Sequence, residues 1–226
     1  MSTYISASQI VGESLHAPNP PKEIQNARIT EKYTRTYLQY NYGTKEKPYY
    51  AEPLFELTIT NGTIKRNAKK ALKLNLKIRD LGDLAGMAQL NLGFANVVNK
   101  YKGKYGLRNF SPEHPGDLRG AIFFPADESG IVIQGSDAIC SLKMNEKTVF
   151  KILKPKADGT YEEETLEQDR LNNKSVTCSV IVSARDLYHA TALPIPQLFV
   201  RSCLILSMTE NGEVEHTKSD MVKQYL

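Results

Sequence analysis

The chain of 226 residues has no tryptophan and only three cysteines. Cys140, Cys178 and Cys203 are odd in number and far apart. That excludes a disulfide framework and fits an intracellular, reducing compartment. No C-x-x-C or paired-histidine spacing is present, so neither a zinc site nor any other cofactor is expected. Each cysteine sits in an apolar, strand-like run and reads as a core residue. The N-terminus, MSTYISASQIVGES, lacks the basic and apolar regions of a secretory signal. No apolar run approaches the ~18 residues that span a bilayer. The chain therefore reads as soluble, with no membrane partner.

Catalytic signatures are also missing. No G-x-x-x-x-G-K-[ST] and no G-x-G-x-x-G follows a strand-like run, which argues against an NTPase or a dinucleotide enzyme. There is no G-x-S-x-G elbow. SARDLYHA brings Ser183, Asp186 and His189 within seven residues, but triads are assembled from separate elements. A polar loop, with Asp186 as a turn or cap, is the reading there. Glu162, Glu163 and Glu164 are adjacent, so they cannot all face one cleft; they read as a solvated acidic face. The expectation is a non-enzyme.

What is present is charge in one place. Net charge is only +4, yet residues 57–109 hold eleven Lys/Arg against Asp80 and Asp83, a local +9. Such asymmetry points to an anionic partner. Within that segment KKALKLNLKIRD alternates strictly. Leu72, Leu74, Leu76 and Ile78 fall on one face of a strand; Lys73, Asn75, Lys77 and Arg79 fall on the other. Lys65, Arg66, Lys69 and Lys70 precede this strand in what reads as a turn. KYKGKYGLRNF, residues 100–110, threads Lys100, Lys102, Lys104 and Arg108 between Tyr101, Tyr105 and Phe110 with no acid.

The third signal is tyrosine. Six of the twelve lie in YTRTYLQYNYGTKEKPYY, residues 33–50. Unpaired bases stack on such rings at ~1–3 kcal/mol per base, and nearby cations neutralise the connecting phosphates. Tyr33 and Tyr37 share one strand face, Tyr40 and Tyr42 the other; about half should be packing residues. Tyr37, Tyr42, Tyr101 and Tyr105 are the stacking candidates. The apolar periodicity of 81–101 predicts a helix with Asp83 as N-cap. Gly86 and Gly93 would weaken it or let it pack closely on a sheet. That helix carries no Lys or Arg over 83–98, so double-helix readout in a major groove is disfavoured.

The rest reads as mainly β. A strand over 50–60 ends at the Asn61-Gly62 turn signal. LRGAIFFP (118–125) and GIVIQ (130–134) form a hairpin. KTVFKIL, SVTCSVIVSA and LFVRSCLILSM are strands, residues 159–172 a short helix capped near Thr160, and Asn211-Gly212 another turn. The division is an extended arm over 1–28, one domain over 29–210 and a tail over 211–226. No βαβ alternation appears, which excludes a doubly wound parallel sheet.

This order of elements resembles the single-stranded-DNA-binding proteins of large nucleocytoplasmic DNA viruses, over about residues 30–208; similar arrangements occur in phage replication proteins. The resemblance implies a mainly β (α+β) fold: an OB-like antiparallel β-barrel with insertions and one packed helix. It also implies non-catalytic coating of single-stranded DNA in replication, repair or recombination, at the host-cell replication site. The family often has an acidic C-terminal tail, whereas EVEHTKSDMVKQYL is mixed in charge. The expected partner is single-stranded DNA, with RNA as the alternative nucleic acid and self-association through the arm or edge strands. The competing reading is a structural or minor capsid β-sandwich whose arm wraps a neighbour.

Overall fold

The computed structural model describes residues 4–25, 32–66, 71–113, 118, 120–125, 127, 133–145, 147–190 and 193–210. The strands, in chain order, are β1 (Ile5–Ser6), β2 (Leu15–His16), β3 (Lys22–Ile24), β4 (Tyr33–Tyr37), β5 (Gln39–Asn41), β6 (Tyr50–Ala51), β7 (Leu54–Arg66), β8 (Leu72–Ile78), β9 (Ala138–Lys143), β10 (Val149–Pro155), β11 (Tyr161–Leu166), β12 (Lys174–His189) and β13 (Ile195–Glu210). The single α-helix among the described residues, α1 (Leu81–Lys100), follows β8.

Five strands close on themselves. β7 pairs with β8 and β8 with β9, both antiparallel. β9 meets β13 in parallel, where Lys143 lies opposite Phe199. β13 pairs antiparallel with β12, and β12 antiparallel with β7. The protein is thus a mainly β, α+β chain built on a closed five-stranded barrel, compatible with an OB-like fold. Closure removes the unpaired edges that an open sheet would expose. The inner residues of β8 (Leu72, Leu74, Leu76, Ile78) are buried, as the period of two requires, and Ala138, Cys140 and Leu142 of β9 join them. Cys178 and Cys203 are buried in the same core.

Three local expectations are overturned. Asn61-Gly62 is no turn: both residues lie inside β7, paired to Lys77 and Leu76 on one side and to Thr177 and Val176 on the other. A Cβ on Gly62 would fall 2.8 Å from the Asn75 carbonyl oxygen and from Leu76 Cδ2, so this glycine permits close strand approach. Of the short helix expected over 159–172, residues 161–166 form β11 instead, because pairing to β10 satisfies their backbone, and Gln168–Leu171 forms a single 3₁₀ turn. SARDLYHA is no loop either: Ser183, Asp186 and His189 are part of β12. The hairpin expected over 118–134 falls largely outside the described residues, which omit 119, 126 and 128–132; Phe123 bridges Ile139, and the Ile133 N–H donates to the Pro125 carbonyl at 2.9 Å. Asn211-Gly212 also lies outside the described residues.

The helix starts one turn earlier than its predicted cap. Asp80 Oδ1 accepts the Asp83 N–H at 2.8 Å and is the N-cap. Asp83 is buried instead, and its Oδ2 accepts the Thr58 N–H at 3.0 Å, tying α1 to β7. Burial pushes its carboxyl up to about 6. Gly86 and Gly93 do serve close packing, but against the N-terminal segment rather than a sheet. A Cβ on Gly86 would lie 1.7 Å from the Ala7 carbonyl oxygen. Ala7, Ile10, Leu15 and Ala17 are buried, so residues 4–25 lie docked on the chain's own body.

Candidate nucleic-acid interface

The cationic face of β8 is real, and its neighbours enlarge it. Lys65 of β7 lies directly opposite Lys73 of β8, and Lys73 directly opposite Lys143 of β9. Three lysines from three adjacent strands thus form one row across the outside of the barrel. The next row is Thr63, Asn75 and Ser141; the next is Asn61, Lys77 and Ile139. None of these nine positions is acidic. Like charges directly opposite one another cost stability. Lys65 and Lys73 have no ion-pair partner among the described residues, while Lys143 Nζ hydrogen-bonds Gln197 Oε1.

The remaining predicted cations of this region are bound to acids. Arg79 donates to both oxygens of Asp137 at 3.0 Å, and Lys77 Nζ stands 3.9 Å from the same group. The Arg79 guanidinium holds the Asp137 carboxyl below its ordinary range. Arg66 pairs with Asp169 at 2.7 Å. Lys69 and Lys70 lie outside the described residues.

Beyond the barrel, β12 continues and takes β4 as a partner. Here the alternation of YTRTY separates its roles. Tyr33, Arg35 and Tyr37 share a face with Tyr188 and Asp186 of β12, whereas Thr36 is fully buried. Tyr37 is 43% exposed. Tyr33 and Tyr188 stand 5.1 Å apart, and the Arg35 guanidinium lies 5.9 Å above the Tyr33 ring. Asp186 is only 1% exposed and sits 3.8 Å from both Arg35 Nε and Arg185 Nε. Burial pushes its carboxyl up against the opposing pull of Arg35, Arg185 and Lys143. Across β13, Asp186 faces Gln197, the partner of Lys143. The lysine row and the tyrosine–arginine face therefore approach each other where Asp186 of β12 lies opposite Gln197 of β13.

Three of the four stacking candidates are engaged in packing. The Tyr42 hydroxyl donates to the Glu52 carbonyl at 2.9 Å and accepts the Leu54 N–H at 2.7 Å, and its ring packs on Tyr40 at 5.0 Å. Burial pushes that phenol up to about 12. Tyr105 is 4% exposed and hydrogen-bonds Thr36 Oγ1, so it has no ring face to offer. Tyr101 is half-buried, donates to the Ala17 carbonyl, and carries Lys100 Nζ 5.2 Å over its ring. Lys100, Lys102, Lys104 and Arg108 are exposed, but this loop lies along the helix end and β4, separate from the lysine row.

Sequence reasoning missed Lys143 and Tyr188. The alternation of AICSLK, with Ala138, Cys140 and Leu142 inward, is the signal that would have found the first. Among the described residues no cluster of His, Cys, Asp or Glu is arranged to hold a metal ion, and no helix is long and apolar enough to cross a membrane. Comparison with known proteins finds no matching family model and no matching curated relative.

Proposed function

We propose that this protein binds single-stranded nucleic acid, DNA foremost, without catalysis and without strong sequence preference. The observation that carries the reading is the in-register row Lys65, Lys73, Lys143 on the barrel face, in which Lys65 and Lys73 have no ion-pair partner among the described residues. A row of like charges that costs stability, with no acid at its own or the next two rows' positions, suits an external polyanion. Phosphates would lie along it, and bases would stack on Tyr37 and on the Tyr33–Tyr188 pair. In OB-type barrels oligonucleotides cross the second and third strands, the positions that β8 and β9 hold in this ring. A role in replication, repair or recombination is the one that the order of elements suggests by its likeness, in the sequence reading alone, to viral single-stranded-DNA-binding proteins. The capsid reading needs an arm free to wrap a neighbour, and the docking of residues 4–25 on α1, β7 and β4 does not favour it.

The test is fluorescence anisotropy with labelled oligo-dT of about 30 nucleotides, repeated with oligo-rU and with duplex, at several salt concentrations. The expected result is tight binding of single strands that weakens with log salt at a slope of about −0.7 per phosphate neutralised. No binding at low salt, or duplex bound as tightly as single strand, overturns the proposal.

A further inference from the structure

Beside β4 lies a cavity of about 300 Å³ whose lining reaches Tyr33 of the strand-binding face. It is at the small end of ligand pockets, which run ~300–1,000 Å³, with room for about one nucleotide unit. Lys32, Lys104, Thr34, Tyr105, His189 and Glu23 line it. Its floor is fixed: the Tyr105 hydroxyl is held by Thr36, and the Tyr105 ring packs edge-on against His189 at 5.4 Å. Thr34 Oγ1 is buried with no hydrogen-bond partner. An orphaned buried hydroxyl costs free energy unless something reaches it.

Two ammonium groups, those of Lys32 and Lys104, belong to the same lining. Lys104 has no acid partner among the described residues. Lys32 pairs with Glu23 at 2.8 Å, but both side chains are more than half exposed. Such a pair contributes ~0–1 kcal/mol, so Lys32 can exchange Glu23 for a better anion at little cost. We propose that this cavity binds a phosphomonoester, the phosphorylated end of a nucleic-acid strand, and so fixes where a bound strand begins or stops. A phosphomonoester has three terminal oxygens and nearly two negative charges, which match two ammoniums and one hydroxyl. An internal phosphodiester has two free oxygens and one charge, and leaves one donor unused. Glu23 then acts as a competitor that holds Lys32 until the phosphate arrives. This inference rests on the strand-binding reading for the identity of its ligand, though not for the chemistry of the pocket.

The experiment is isothermal titration with unlabelled oligo-dT of about ten nucleotides, within the ~4–16 that one OB barrel covers. Three forms are compared: 5′-phosphate, 3′-phosphate, and hydroxyl at both ends. One phosphorylated form should bind roughly tenfold tighter than the hydroxyl-ended form. That ratio should fall to one in Lys104→Gln and widen in Glu23→Gln. Three equal affinities, or a ratio that survives Lys104→Gln, overturn the end pocket while leaving strand binding intact. If no oligonucleotide binds, the strand reading fails by itself, and thymidine monophosphate and inorganic phosphate decide the pocket. Binding of either by the wild type, lost in Lys104→Gln, keeps it as a phosphomonoester site. Binding of neither overturns it.

Discussion

Two exposed β surfaces of this protein carry lysines, and they are built differently. On the β10–β11 hairpin, Lys151 pairs with Glu163 at 2.5 Å, Lys156 with Glu162 at 3.3 Å, and Lys154 with Glu164. On the barrel, Lys65, Lys73 and Lys143 face one another across strands with no acid in their grid. The hairpin is the arrangement that stability alone favours, since opposite charges on neighbouring strands contribute ~0.2–1 kcal/mol and like charges oppose it. The barrel face departs from that arrangement. The acids needed to neutralise it exist in the chain, and they are placed on the hairpin instead. The adjacent glutamates that read as a solvated face are one half of this ladder.

The largest effect should come from emptying the row. The triple variant Lys65→Gln, Lys73→Gln, Lys143→Gln should lower the salt slope of oligo-dT binding by about 2 and the affinity by about a hundredfold at 0.1 M salt. Substituting Lys151, Lys154 and Lys156 by glutamine removes as many charges and should leave binding within about twofold, because those lysines are already neutralised. Equal losses in the two triples, read by anisotropy, would reduce the comparison to net charge alone.

The aromatic side sharpens the same contrast. Tyr37→Ala should weaken oligo-dT binding roughly tenfold, the loss of one stacked base, with little change in melting temperature because Tyr37 is exposed. Tyr105→Phe should do the reverse. It breaks the bond to buried Thr36 and costs about 1 kcal/mol or more of stability, seen as a lower urea midpoint. If Tyr37→Ala destabilises the fold and leaves binding unchanged, the tyrosine face is packing only.

Supplying the row with an acid is a milder break. Asn75 lies in the row next to Lys73, flanked by Thr63 and Ser141. Asn75→Glu would give the lysines a partner of the kind the hairpin lysines have. Binding should weaken by about fivefold while stability holds or rises by a few tenths of a kcal/mol. Unchanged binding in this variant would place the strand elsewhere on the surface.

How much of this was legible in the sequence depends on range. The two faces of β8 followed from alternation, and α1 from its period, because both are local. A barrel was expected from the order of elements, but its register was not legible: Lys73 meets Lys143 only through the pairing of β8 with β9, far apart in the chain, and the row is completed there. Asn61-Gly62 misled because pairing on both sides of β7 overrides local turn propensity. For the tyrosines, alternation separated the faces of β4 correctly. It could not say which face is covered, because the cover is Tyr105, placed over Thr36 by a loop nearly seventy residues away. Asp186 read as a turn residue for the same reason, since its arginines come from β4 and from the strand bulge beside it.

The smallest effect is one of sign, and it isolates the electrostatics from any ligand. Salt screens repulsion and attraction alike, with a Debye length of ~10 Å at 0.1 M and ~3 Å at 1 M. In the row the lysines repel, so removing them should stabilise the protein at low salt and matter less at high salt. In the hairpin the pairs attract, so Glu162→Gln, Glu163→Gln and Glu164→Gln together should destabilise at low salt and matter less at high salt. Each change is a few tenths of a kcal/mol per exposed pair. It should be readable as opposite shifts of the urea midpoint at about 0.02 M and about 0.5 M salt. Shifts of the same sign would mean that the lysine row carries no stored repulsion. The physical case for an external anion on that face would then be lost, whatever the binding data showed.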